Sequence, residues 1–223
     1  MPRSASIFAL IAANLVPLIG VLFYAWDANL VLALFWIENL IIGIFNLIKM
    51  VTASVHHRQF KDLGLCAFFV FHFGLFCSAH GVLLSSLLGF ESIDTGRFFT
   101  PSEFGPFTIF LEGAAVFLSF IDHYGSLILL AIGALTLSHL VSFIENFILR
   151  AEIFETRAGK LMSKPYKQII VMHAGLILGA LAIDKLGSTL WLLFVIVIFK
   201  LTVDVKLHLQ RRENAPEHLA EPD

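Results

Sequence analysis

Residues 35–80 read FWIENLIIGIFNLIKMVTASVHHRQFKDLGLCAFFVFHFGLFCSAH, two long apolar runs joined by a short basic segment. Each run is long enough for a bilayer-spanning helix. Each also carries polar or ionisable groups in its interior: Glu38 beside Asn39 in the first, His72 and His80 in the second. A charge at the middle of a bilayer costs on the order of 3 kcal/mol, so such residues face a protein interior or a wet cavity and find partners there. The stretch therefore predicts a helical membrane fold with a polar site inside it.

Composition points to the same class. The chain has 223 residues, 58% hydrophobic and 14% charged, with 23 Phe and a mean hydropathy of +0.85. An ordinary soluble domain carries about 25% charged residues. A formal net charge of -2 and the lack of any groove-binding motif give no reason to expect a nucleic-acid partner. Cys66 and Cys77 are eleven residues apart on one predicted helix, roughly 16 Å along its axis, too far to bridge each other.

Outward from the opening stretch, the hydropathy predicts six spans. They are helix 1 at about Ser6 to Tyr24, helix 2 at Leu30 to Lys49, helix 3 at Leu63 to Leu88, helix 4 at Ser126 to Leu149, helix 5 at Tyr166 to Ile183 and helix 6 at Ser188 to His208. Six spans place both termini and the loops 2–3 and 4–5 on one side. Twelve Lys and Arg then collect there, among them Lys49, Arg58, Lys61, Arg150, Lys164 and Arg211, against Arg97 and Lys185 opposite. Positive charge marks the cytoplasmic side, so both termini are expected in the cytoplasm. Counting residues 104–121 as a seventh span would invert the Arg150 to Lys167 loop. That segment is therefore expected to be a re-entrant or interfacial helix on the extracytoplasmic side. Residues 1–210 form one transmembrane domain on this reading, and 211–223, rich in Glu and Pro, a disordered cytoplasmic tail. His56 and His57 read as part of a solvated basic loop.

Two motifs recur. Ile37-Glu38-Asn39 returns as Ile144-Glu145-Asn146, and Val70-Phe71-His72-Phe73-Gly74-Leu75 as Val171-Met172-His173-Ala174-Gly175-Leu176. Their common order suggests a parallel repeat of a helical hairpin, helices 2–3 and 4–5. Depth counted from the nearest basic residue puts Glu38, His72 and His139 in one layer, each eleven residues from Lys49, Lys61 and Arg150. Glu145, His173 and Asp204 form a shallower one.

The deeper set, with His80 beyond it, offers carboxylate and imidazole, which suit a divalent metal such as Zn²⁺. Glu38, His72 and His139 are its candidate ligands. The same groups suit proton relay, since imidazole titrates near neutrality. His80, Glu145, His173, Lys200, Asp204 and His208 are candidates for a relay or ion-pair network, the last three spaced along one helix face. Three readings stay open: cation- or proton-coupled transport of a small solute, which leads; a metal-dependent membrane hydrolase; and a structural scaffold whose polar groups lock helices together. Besides the bilayer, the expected partner is an unidentified small solute or lipid.

Trp36-Ile37-Glu38-Asn39, Phe71-His72-Phe73-Gly74-Leu75-Phe76 with His80-Gly81, and Ser138-His139-Leu140-Val141-Ser142-Phe143 form a pattern that continues through Pro165-Tyr166, His173, Gly179, Lys200, Asp204 and His208. In these motifs the chain resembles a bacterial family of polytopic membrane proteins known as a domain of unknown function. The resemblance implies a location in the bacterial inner membrane and brings no activity with it.

Overall fold

The computed structural model describes residues 15–90, 105–149 and 152–213; the side chains of Pro106, Glu155, Asp204 and residues 206–213 fall outside that description. The part of helix 1 before residue 15, the loop around Asp94 and the tail after Glu213 also lie outside the described residues. Every element among those described is helical.

Residues 15–23 are the described part of α1. Asp27 then starts α2 (Ala28–His56) by accepting at Oδ1 from the backbone N–H groups of Asn29 at 2.8 Å and Leu30 at 3.4 Å. These are two of the donors a helix start leaves unpaired. At 29 residues α2 is about 44 Å long, well beyond the ~30 Å of hydrocarbon it has to cross. It runs seven residues past the expected end at Lys49 because Val51 to Val55 contain nothing that breaks a helix. The break comes at Arg58, whose φ of 54° turns the chain into a 3-10 turn (Phe60–Asp62) and α3 (Leu63–Leu87).

α2 and α3 pack antiparallel through small residues. A Cβ on Gly43 would lie 2.4 Å from the Phe73 ring, and one on Gly81 2.4 Å from Trp36. Trp36, 1% exposed, donates its indole N–H to the Cys77 carbonyl at 2.8 Å. Lipid is as apolar as the side chains, so close packing and such hydrogen bonds, not the hydrophobic effect, hold these helices together.

α4 (Thr108–Tyr124) lies along α3 in the same sense: Phe107 and Phe110 meet Phe71, Gly113 meets Ser78, and Phe120 and Tyr124 meet Phe90. Its first turn is thus level with the lower middle of α3 and its last with the end of α3. Gly125, at φ 57°, reverses the chain into α5 (Ser126–Ser142), which continues as a π-helical segment (Phe143–Leu149) parallel to α2. α5 is peripheral, with only 6% of its apolar window buried against at least 33% in the other long helices.

The segment read as a cytoplasmic loop holds two short helices, α6 (Glu152–Glu155) and α7 (Ala158–Met162). Ala158 and Leu161 are buried with Met50, Ala53, Cys66 and Phe69, on the part of the α2–α3 hairpin beyond Lys49. Then α8 (Tyr166–Leu186) runs parallel to α3, and α9 (Leu190–Glu213) returns along α8 and α2. A Cβ on Gly175 would lie 2.7 Å from Ile196 and one on Gly179 2.1 Å from Leu192, so α8 and α9 are in close contact. α9 carries three residues of the expected tail, to Glu213.

Among the described residues, four helical stretches are long and apolar enough to cross a membrane: Ala28–His56, Phe60–Leu87, Ser126–Leu149 and Ala158–Leu186. The described apolar part of α9, Leu190–Val203, is shorter. Large apolar side chains such as Leu130, Leu137, Ile170 and Leu181 are exposed along these helices, which suits a bilayer environment.

Candidate functional site

Glu38 points from the middle of α2 toward α5 and α9. Lys200 Nζ donates to its Oε2 at 2.8 Å, and His139 Nε2 lies 3.8 Å from its Oε1. The three side chains are 20%, 19% and 27% exposed for Glu38, Lys200 and His139. Lys200 also sits 5.0 Å over the Phe35 ring, and His139 stacks on Phe45. The carboxylate is thus shared between a fixed cation on one oxygen and a titratable imidazole on the other. At 3.8 Å the imidazole is beyond hydrogen-bond length but a small side-chain shift away from it.

Of the three expected metal ligands, Glu38 and His139 meet and His72 does not join them. His72 Nδ1 shares a hydrogen bond of 2.8 Å with Tyr166 OH and lies between Phe68 and Phe76. The depth count misplaced it because it started from Lys61, and the first two turns of α3 lie beyond the level of Lys49. The contacts of Gly43 with Phe73 and of Trp36 with Cys77 put the α3 residues level with Glu38 near Phe76 to Ser78. His72 is about a turn and a half below them. Among the described residues no three His, Cys, Asp or Glu side chains converge.

The other candidates separate. His80, buried, and His173 share a hydrogen bond of 3.0 Å between ring nitrogens, so His173 lies deeper than the count from Lys167 placed it. One imidazole donates and the other accepts. Glu145 is exposed on the π-helical segment. The side chains of Asp204 and His208 lie outside the described part of the structure. The recurring motifs therefore sit in unlike surroundings: Glu38 is held by two partners and Glu145 is exposed, while His72 meets Tyr166 and His173 meets His80. Asn39 spends its amide N–H on the Phe35 carbonyl, and its buried Oδ1 has no hydrogen-bond partner among the described residues.

The sequence reading did not give Lys200 its partner Glu38, although a signal for its place existed: it is eleven residues before Arg211, as Glu38 is before Lys49. Tyr166 carried no signal beyond its place after Pro165. Nor did the sequence reveal the clamp at the far end of α2. There His57 Nε2 donates to the Ile153 carbonyl at 3.0 Å, His56 packs edge-on against Phe154, and Glu152 pairs with Lys164 and, at 3.8 Å, with Lys49. The two adjacent histidines close the end of α2 and fasten α6 to it, so they are not part of a loop, although His56 is exposed.

Partial burial pushes the Glu152 carboxyl up, but Lys164 and then Lys49 outweigh it and hold it below the usual carboxylate range. A lowered folded-state pKa gives stability that is present above the ordinary carboxylate pKa and is lost as pH falls through the folded one. Proteolytic nicking between α6 and α8 is therefore expected to rise as pH drops through and below 4.5, the ordinary value for this group, and Glu152→Gln should nick equally at both ends of that range. Identical pH profiles for the two proteins would show that the clamp holds nothing. The pair is partly exposed, so the effect on global stability stays within about 1 kcal/mol.

A family model described as "Family of unknown function (DUF6498)" matches residues 1–221, in line with the expected resemblance to an uncharacterised family. No curated protein and no solved structure matches the chain.

Proposed function

We propose that this chain, which belongs to the DUF6498 family of unknown function, is a proton-coupled carrier of a small solute in the bacterial inner membrane, with Glu38, His139 and Lys200 as its proton-handling centre. It crosses six times with both termini in the cytoplasm. The alternating directions of α2, α3, α5, α8 and α9 support this, as does the twelve-to-two distribution of basic residues. α4, which starts level with the lower middle of α3 and ends beside Phe90, fits a re-entrant helix entered from the outer face. The recurrence of the Glu-Asn and His motifs is read as an old hairpin duplication whose copies have since taken different roles.

The observation that carries the proposal is the Glu38 carboxylate reaching both Lys200 and His139. Ionisable residues this deep in a helical membrane protein mark ion paths and proton relays. Lys200 pairs with one carboxylate oxygen and leaves the second facing His139, and imidazole is the side chain that changes charge near neutrality. A proton arriving at His139 makes it an imidazolium attracted to Glu38. A proton leaving frees it to swing away between α5 and α9. Alternation between those positions is the elementary step of the relay.

The purified protein in liposomes loaded with a pH-sensitive dye, under a potassium diffusion potential, tests this. Proton entry should exceed that of protein-free vesicles, and Glu38→Gln and His139→Ala should return it to the protein-free rate. Wild-type vesicles no faster than empty ones, or variants as fast as the wild type, would sink the proposal.

A further inference from the structure

Away from that centre, a groove of about 620 Å³ runs between α2, α3, α4 and α5, within the size range of small-molecule sites. Its walls are almost wholly apolar; Ser78 and Thr136 bring the only hydroxyls among its lining residues. Ile44, Val70, Leu118 and Thr136, which line it, are all exposed, so it opens sideways from the helix bundle toward the surroundings of the helices. Its α2 wall extends from Trp36 to Leu47, roughly 17 Å, and stops two residues short of Lys49.

We infer that this groove binds one acyl chain of an anionic phospholipid from the leaflet on the basic side of the protein. Three features single out that occupant. A wall without charge, whose only hydroxyls among the lining residues are those of Ser78 and Thr136, gives a water-borne solute little to exchange for its hydration. A sideways apolar opening admits a chain directly from the bilayer. The end near Lys49 faces the side where Arg58 and Lys61 lie exposed, which complements a phosphate headgroup there, while Lys49 and Lys164 pair with Glu152. The groove lies where α4 and the peripheral α5 flank the α2–α3 hairpin. None of the groove residues belongs to the Glu38 centre, so this inference stands or falls apart from the proton relay.

The chain has three Trp, and Trp36 lines the groove while Trp191 is exposed on α9. With Trp26→Phe and Trp191→Phe leaving Trp36 as the only emitter, the full chain goes into nanodiscs of phosphatidylglycerol with or without chain-brominated lipid. Bromine quenches at contact range, so brominated chains should remove most of the Trp36 emission. Ala114→Phe or Thr136→Phe, each filling the groove from a different helix, should restore it. A Trp36 signal untouched by bromine, while a Trp191-only protein is quenched in the same lipid, would overturn the inference. So would quenching that neither filling substitution relieves, since it would come from bulk lipid, or a dimer in which a second copy covers the groove and shields Trp36.

Discussion

Lys200→Met should lower unfolding stability by about 3 kcal/mol, the scale of leaving one member of a buried ion pair without its partner. The residues involved are only about a fifth exposed and sit where the surroundings are apolar, so Glu38 has no water shell to fall back on. Among the described residues, His139, at 3.8 Å, is the other ionisable group at hand, and it is beyond hydrogen-bond length. The double variant Glu38→Gln, Lys200→Met removes the stranded charge together with its counter-ion and should recover most of the loss. Unfolding titrations in detergent for the four members of this cycle measure the coupling directly. If the single variant is as stable as the wild type, or if the double variant is worse than the single, Glu38 and Lys200 do not form the pair seen here. The relay proposed above would then lose its base.

Gly113→Leu should cost a further several kcal/mol, and even Gly113→Ala about 1–3 kcal/mol, the usual penalty for overpacking. A Cβ at this position would stand 2.8 Å from the Ser78 Cα, a backbone atom that cannot rotate aside, as well as 2.6 Å from Ser78 Oγ. Relief requires α4 to move off α3, which would also break the contacts of Phe110 with Gly74 and of Phe120 with Trp36. Gly133→Ala on α5 is the control: nothing lies within 4 Å of a Cβ there, and Ala is the better helix former. Gly133→Ala should therefore be neutral or slightly stabilising. Equal melting temperatures for Gly113→Ala and Gly133→Ala would mean that α4 is not seated at this depth along α3.

The centre around Glu38 was half legible. The cost of placing charge in an apolar run is a one-dimensional fact, and it picked out Glu38, His139 and Lys200 as residues that need company. Partners are a two-dimensional fact, fixed by how helices turn and slide against one another. The count from basic residues put Glu38 and His139 at one level, and these two side chains meet. It fails for His72 and His173, because the α2–α3 hairpin overshoots Lys49 and α7 fills the space beneath, so Lys61 and Lys167 do not mark the same level.

What the amino-acid order determined alone is the class: apolar runs of spanning length, an all-helical chain, and ionisable side chains too costly to leave facing lipid. Periodicity, length and transfer cost are properties of the chain itself, so no neighbour is needed to read them. What the tertiary structure decided is the pairing: Lys200 with Glu38, His80 with His173, His72 with Tyr166, and α6 clamped to the end of α2. Those choices depend on helix rotation, on glycine contacts such as Gly43 against Phe73 and Gly179 against Leu192, and on a connecting segment folding back into the bundle. Such contacts join residues about a hundred or more positions apart in several cases, and the local pattern around each residue is the same whichever partner it meets.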